Sequence, residues 1–216
     1  MEIWFFSMSE QKEKARKKIE MKEKIIVALI GKAGAGKDTI LNSVCAHHPE
    51  YHKIISCTTR PMRANEKDGK DYHFISNDSF IHKIFDGDML EATEFNGWHY
   101  GTMKSDLVDG INIGVFNPTG YDNLASTLPL NIGLIGIYIK CNKKERLMRQ
   151  LSREPNPDVD EIVRRYSADE IEFIDFEGDY PFINIVSNNT TKDFIDIVNQ
   201  IPFIITEECK QYGYSN

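Results

Sequence analysis

The sequence predicts a three-layer α/β fold around a parallel, five-stranded sheet. Five apolar stretches, at residues 25–30, 52–55, 111–120, 132–140 and 182–186, alternate with segments of helical character. That alternation builds parallel sheets covered on both faces. The first stretch runs directly into a glycine-rich segment, residues 31–39, and then into a helix-like one, residues 39–45. This places a tight turn at the carboxyl end of a buried strand, where open α/β sheets keep their sites. A length of 216 residues suits one main domain with a small insertion.

Composition narrows the function classes. The formal net charge is −7, which argues against non-specific nucleic-acid binding, though not against a local basic cleft. No apolar run approaches the 18 or so residues that would span a membrane. Cys45, Cys57, Cys141 and Cys209 form no C-x-x-C pair and read as reduced thiols of a cytoplasmic protein. His47, His48 and His52 have no acidic or cysteine partner at ligand spacing, so no metal site is expected there.

The first segment, residues 1–22, reads as a basic extension. Trp4, Phe5 and Phe6 form a short apolar patch, and seven basic residues fall between Ser9 and Lys24. It is too polar for a signal peptide. Met21, just before the first strand, is a possible natural start; the alternative is a basic helix for a partner or an anionic surface.

The turn reads Gly31-Lys32-Ala33-Gly34-Ala35-Gly36-Lys37-Asp38-Thr39. The glycines let the backbone turn tightly and aim N–H groups inward, and the helix that starts near Lys37 adds its positive end. Lys37 can then reach the β- and γ-phosphates of a nucleoside triphosphate. The simpler reading is a glycine-rich turn without a ligand. The position after the lysine, commonly a Mg²⁺-binding Ser or Thr, is Asp38, with Thr39 next. A carboxylate is also a hard ligand for Mg²⁺, and both residues are candidate metal ligands.

After the second strand come Ser56, Thr58, Thr59, Arg60, Arg63, Glu66, Gly69, Asp71, Tyr72 and Phe74. Two arginines three apart, bracketed by hydroxyls and a tyrosine, suit a phosphate monoester. On its own the stretch could equally be a charged loop without a ligand. The pattern Ser-x-Thr-Thr-Arg-x-x-Arg-x-x-Glu-x-x-Gly-x-Asp-Tyr-x-Phe, starting at Ser56, resembles the signature of guanylate kinases, with the phosphate-binding loop about twenty residues upstream as in that family. The resemblance continues to about Val186. It implies a P-loop kinase fold whose small monophosphate-binding domain is inserted at about residues 56–104.

Residues 77–85 read as a short helix. Residues 91–102 read as a hairpin turning at Asn96-Gly97. The resemblance implies that Glu91 accepts the N1–H and N2–H of guanine and that Ser56 and Thr102 also bond the base. It further implies that Arg60, Arg63, Tyr72 and Tyr100 hold the monophosphate, with Glu66 in the same substrate set. Glu91 could instead be a charge at a strand edge. Glu94 should point to the opposite face.

The third core strand departs from the family. Guanylate kinases have an Asp-x-Asp pair there; the matching residues here are Val115 and Asn117. The expectation is that the acidic group near the metal has moved to Asp38.

Residues 143–151 read as a helix that two prolines, Pro155 and Pro157, interrupt; Asp158 restarts it, with Glu161 at capping-box spacing. This resembles the family's mobile lid, about residues 149–165, whose arginines close over the triphosphate. Arg149, Arg153 and Arg165 match best, with Arg164 as the alternative to Arg165. The simpler reading is a solvated, charged helix pair. Ser187 and Asn188 sit where the family contacts adenine. A last helix is expected over residues 190–200, followed by a tail, residues 203–216, without functional signal.

The resulting reading is a guanylate kinase-like domain over residues 23–202, with its core at 23–55 and 105–202. It would transfer the γ-phosphoryl group of Mg·ATP to GMP or dGMP as a cytoplasmic monomer or homodimer that binds neither nucleic acid nor membrane. Lys37, Arg60, Arg149, Arg153 and Arg165 would be catalytic. The rivals are a kinase for another nucleoside monophosphate and a binding module that has lost catalysis.

Overall fold

The structure, a computed structural model, describes residues 23–63, 66–95, 97–153, 155–181 and 183–211. The expectations for the extension 1–22, and for Asn96 and Phe182, lie outside the described residues. In chain order the elements are β1 (Lys24–Ile30), α1 (Lys37–His47), β2 (His52–Lys53), β3 (Cys57–Thr58), β4 (His73–Phe74), α2 (Asn77–Phe85), β5 (Met89–Phe95), β6 (Trp98–Met103), β7 (Gly110–Phe116), α3 (Pro118–Thr127), β8 (Ile132–Lys140), α4 (Lys143–Leu151), α5 (Val159–Glu172), α6 (Phe176–Asp179), β9 (Asn184–Ser187) and α7 (Thr191–Gln211).

The main sheet has the order β2-β7-β1-β8-β9, and every pairing is parallel. β1 is central and buried on both faces, which is why it carries no polar alternation. Ile25, Val27 and Leu29 face one core with α1 and α7; Ile26, Ala28 and Ile30 face another with α3, Phe173 and Phe176. A second sheet, β4-β3-β6-β5, stands apart from the first. Its β5–β6 hairpin pairs Glu91 with Thr102 and Phe95 with Trp98, the register the sequence implied.

α1 starts at Lys37, where a helix is expected to begin, directly after Gly36 in its left-handed conformation. One helical expectation needs correction. The last helix does not end at Gln200. It continues through Pro202 to Gln211, so residues 203–211 are not a tail. A proline inside a helix costs about 3 kcal/mol. Ile204, Ile205 and Cys209 beyond it are buried in the core, and each such side chain returns about 1.5–3 kcal/mol, so burial wins. The four cysteines are unpaired, Cys57 and Cys209 buried and the other two half-buried.

Candidate active site

β1 delivers the glycine-rich loop to the carboxyl edge of the sheet, and α1 leaves from it. Gly34 and Gly36 have φ of 79° and 93°, conformations a side chain resists. A Cβ on Gly34 would also lie 2.5 Å from the Arg146 carbonyl oxygen. The α1 N-cap, Gly36, makes no side-chain hydrogen bond, so side chains leave the first amides of the helix to an anion. Lys37 folds back over the loop, its Nζ donating to the carbonyls of Gly31 (2.5 Å) and Lys32 (3.3 Å). Burial lowers its pKa; Asp38, Asp169 and Glu172 oppose that shift, and Arg165 adds to it. Asp38 and Thr39 are exposed on the first turn of α1. They offer hard oxygens of the kind Mg²⁺ takes alongside nucleotide phosphates.

The second sheet faces this loop. The Tyr72 phenol is pushed up by burial and next by the charge of Asp38 on α1. Its ring meets Tyr100 edge-on at 6.1 Å. Both oxygens of Glu66 are held by Arg60, at 2.8 and 2.9 Å, and one also accepts from the Arg63 amide at 2.9 Å. Arg60 stands over Tyr72 and Phe74, 5.6 Å from each ring centre. Glu66 therefore braces the arginine pair. The Ser56 carbonyl accepts from the His73 amide at 2.9 Å, tying the start of the motif to its end.

Glu91 is 8% exposed and accepts a 2.9 Å hydrogen bond from the Thr102 hydroxyl. Burial pushes its carboxyl up to about 7, against the pull of Thr102. Its Oε2 lies 3.4 Å from where a Cβ on Gly120 would stand, so the carboxylate is wedged between the hairpin and the start of α3. Glu94, on the opposite strand face, is exposed.

At the end of β7 the carboxylate is supplied from elsewhere. Asn117 caps α3, its Oδ1 accepting from the Gly120 amide at 2.9 Å, while its Nδ2 donates to Glu172 at 3.0 Å. Burial, and next Asp169, push Glu172 up to about 7. Arg165, Asp169 and Glu172 recur at i, i+4 and i+7 on α5, the spacing of one helix face, and all three act on Lys37. The acidic groups around the lysine are thus Asp38, Asp169 and Glu172, so Asp38 is not alone there as expected. Asp169, Glu172 and Arg146 were missed. The helical spacing of the first two with Arg165 was the available signal.

The arginines expected in the lid separate clearly. Arg164 is paired with Glu161 on the surface at 2.6–2.8 Å. That pairing also takes Glu161 away from a reciprocal capping box, although the Asp158 carboxylate does cap the Glu161 amide. The Arg63 pKa is lowered by burial, then by Arg60 and Arg165, with Arg153 contributing, so Arg165 and Arg153 lie within electrostatic reach of Arg63. Arg149 Nη1 rests 3.4–3.5 Å from the carbonyls of Gly34 and Ala35 and from Cys141 Sγ. It borders a cleft of about 240 Å³ lined by Gly36, Thr39, Asn188, Thr190, Thr191 and Phe194. Asn188 donates to the Ala35 carbonyl at 2.8 Å, and its buried Oδ1 has no partner among the described residues. Ser187 ends β9 beside it, exposed.

Comparisons with known proteins converge. The guanylate kinase family model matches residues 22–203. The guanylate kinase of Thermotoga maritima is 32% identical over 84% of this chain and 86% of its own length. That of Mycoplasma genitalium is 30% identical over 85% and 75%, and that of Synechococcus elongatus 36% over 65% and 69%. Among solved structures, a guanylate kinase from Anaplasma phagocytophilum superposes with a TM-score of 0.62 at 22% identity, covering 87% of each chain.

Proposed function

Because the chain belongs to the guanylate kinase family, we propose that it transfers the γ-phosphoryl group of Mg·ATP to GMP or dGMP, giving the diphosphate and ADP. The observation that carries the base choice is the buried Glu91 carboxylate beside Thr102. Guanine is the common base that offers two adjacent donors to one carboxylate.

Positioning and charge neutralisation do the work, with no covalent intermediate. Lys37 leaves the loop carbonyls for the β- and γ-phosphates, which the amides of Gly34 to Thr39 cradle. Arg60, braced by Glu66, and Arg63 fix the acceptor phosphate with help from Tyr72 and Tyr100. Ser56 and Thr102 assist Glu91 at the base. Arg149, Arg153 and Arg165 close over the transferring group. Asn188 borders the cleft that suits adenine, with Ser187 next to it at the end of β9. Asp38 and Thr39 would hold Mg²⁺, which supplies neutralisation of the phosphate charge when bound. The proposed setting is cytoplasmic, in keeping with four unpaired thiols. No described helix is long and apolar enough to cross a membrane.

The test is a coupled ADP-release assay with Mg·ATP and each common NMP and dNMP, with Glu91→Ala in parallel. Turnover confined to GMP and dGMP, and lost in the variant, supports the reading. Turnover on another base would keep the transfer and discard the role of Glu91. No turnover on any would make Val115 and Asn117 decisive and favour a binding module.

A further inference from the structure

Arg146 is 1% exposed, the largest fully buried side chain among the described residues. It lies directly beneath the phosphate-binding loop, its main chain closely approached by Gly34. A buried guanidinium is costly unless fully paired, and this one is half paired. Its Nη2 donates to Glu170 at 2.7 Å, and its guanidinium carbon stands 4.7 Å from the Tyr166 ring centre. Its Nε and Nη1 have no hydrogen-bond partner among the described residues. The acceptor they lack is close: Asp169 Oδ2 is 3.5 Å from Nη1. That oxygen instead takes a 2.6 Å bond from the Ala33 amide, inside the loop. One buried carboxylate therefore stands between two donors, a loop amide that it hydrogen-bonds and a guanidinium with which it forms only a 3.5 Å ion pair without a hydrogen bond.

We propose that Asp169 is a positioning residue with two seats: on the Ala33 amide when the loop is empty, and on Arg146 when the triphosphate occupies the loop. This rests on the reading that ATP binds here. The seat on Ala33 is an anion position, since a charged acceptor on an inward loop amide stands in for a phosphate oxygen. Asp169 also lies within the field of Lys37. Arriving phosphates bring like charge into that field and repel the carboxylate, and Arg146 provides the place to which it withdraws. Asp169 is one helical turn from Arg165 on α5, so its release passes donor binding on to the lid. Lys32, paired with Glu170 at 2.9 Å, keeps the loop tip tethered to α5 in both states.

The test is calorimetric titration of the full chain with a non-hydrolysable ATP analogue and, separately, with GMP. Asp169→Asn keeps an acceptor for Ala33 without the charge; Asp169→Ala removes both. The wild type binds the analogue, and both variants bind it about three- to tenfold tighter. KM for ATP falls, while GMP affinity and KM for GMP stay put. Arg146→Met, which removes the second seat, binds the analogue more weakly. If Asp169→Ala does not fold, the isosteric Asp169→Asn decides alone. Unchanged or weaker analogue binding in Asp169→Asn would show a fixed strut and overturn the proposal while leaving ATP binding intact. A wild type that binds no analogue would overturn the ATP reading and this proposal together.

Discussion

Glu91 is the residue on which base recognition and pH meet. Its folded pKa of about 7 stands above its ordinary 4.5, so the folded protein binds the proton more tightly than the unfolded chain. Its contribution to stability is full below pH 4.5 and is lost as pH rises through 7, by at most about 3 kcal/mol. Glu91→Gln should therefore melt higher than the wild type at pH 8 and about equal to it near pH 4.5, which thermal scans across that range check. Guanine needs the carboxylate form, so KM for GMP should fall severalfold between pH 6 and 8 in the wild type. Glu172 titrates in the same range but faces Lys37, so its effect should fall on ATP. At the metal, Asp38→Ala should raise the Mg²⁺ requirement about tenfold and reduce kcat, measured by magnesium titration at fixed ATP. Unchanged dependence would overturn that role for Asp38. Lys37 and Arg60 could be read from two separate local motifs, and Glu91 from the family resemblance. Asp169 could not, because its partner Ala33 is 136 residues away and only the fold brings the two together.

Among the elements, the loop between β1 and α1 is the least tolerant of change. Gly34→Ala would force a side chain into a left-handed backbone and against the Arg146 carbonyl, costing about 2 kcal/mol or more. Differential scanning calorimetry should show Tm lowered by roughly 4–8 °C. β1 and β8 of the main sheet were legible as near-continuous apolar runs, since burial on both faces leaves no room for polar alternation. The short β3 and β4 were not, because two residues carry no periodicity. Pro202 misled at α7, where a local stop signal is outweighed by long-range burial. Ile205→Ala, at 2% exposure, should cost about 2–5 kcal/mol in chemical denaturation. A value under 1 kcal/mol would return residues 203–211 to the status of a tail.

At the scale of the whole molecule, the site gathers cations from three places: Lys37 from the loop, Arg60 and Arg63 from the segment after β3, and Arg153 and Arg165 from just past the end of α4 and from α5. Burial, and next the repulsion of Arg60 and Arg165, lowers the Arg63 pKa, so bound anions should relieve a like-charge cost. A bisubstrate analogue joining adenosine and guanosine through a phosphate chain should supply both charges at once. At a hundredfold excess over its Kd it should add about 2.7 kcal/mol and raise Tm by roughly 5–10 °C. Thermal shift should find the gain reduced in Arg165→Ala and intact in Arg164→Ala, whose guanidinium already has Glu161. The long α7 has a consequence of another kind. It covers the face of β1 that carries Ile25, Val27 and Leu29, yet it leaves the ribosome long after that strand. At about 5–20 residues per second, the nascent chain holds this face open for roughly 10–30 s. Over that interval the most apolar strand of the sheet depends on chaperones, or on transient contacts with α1, to escape aggregation.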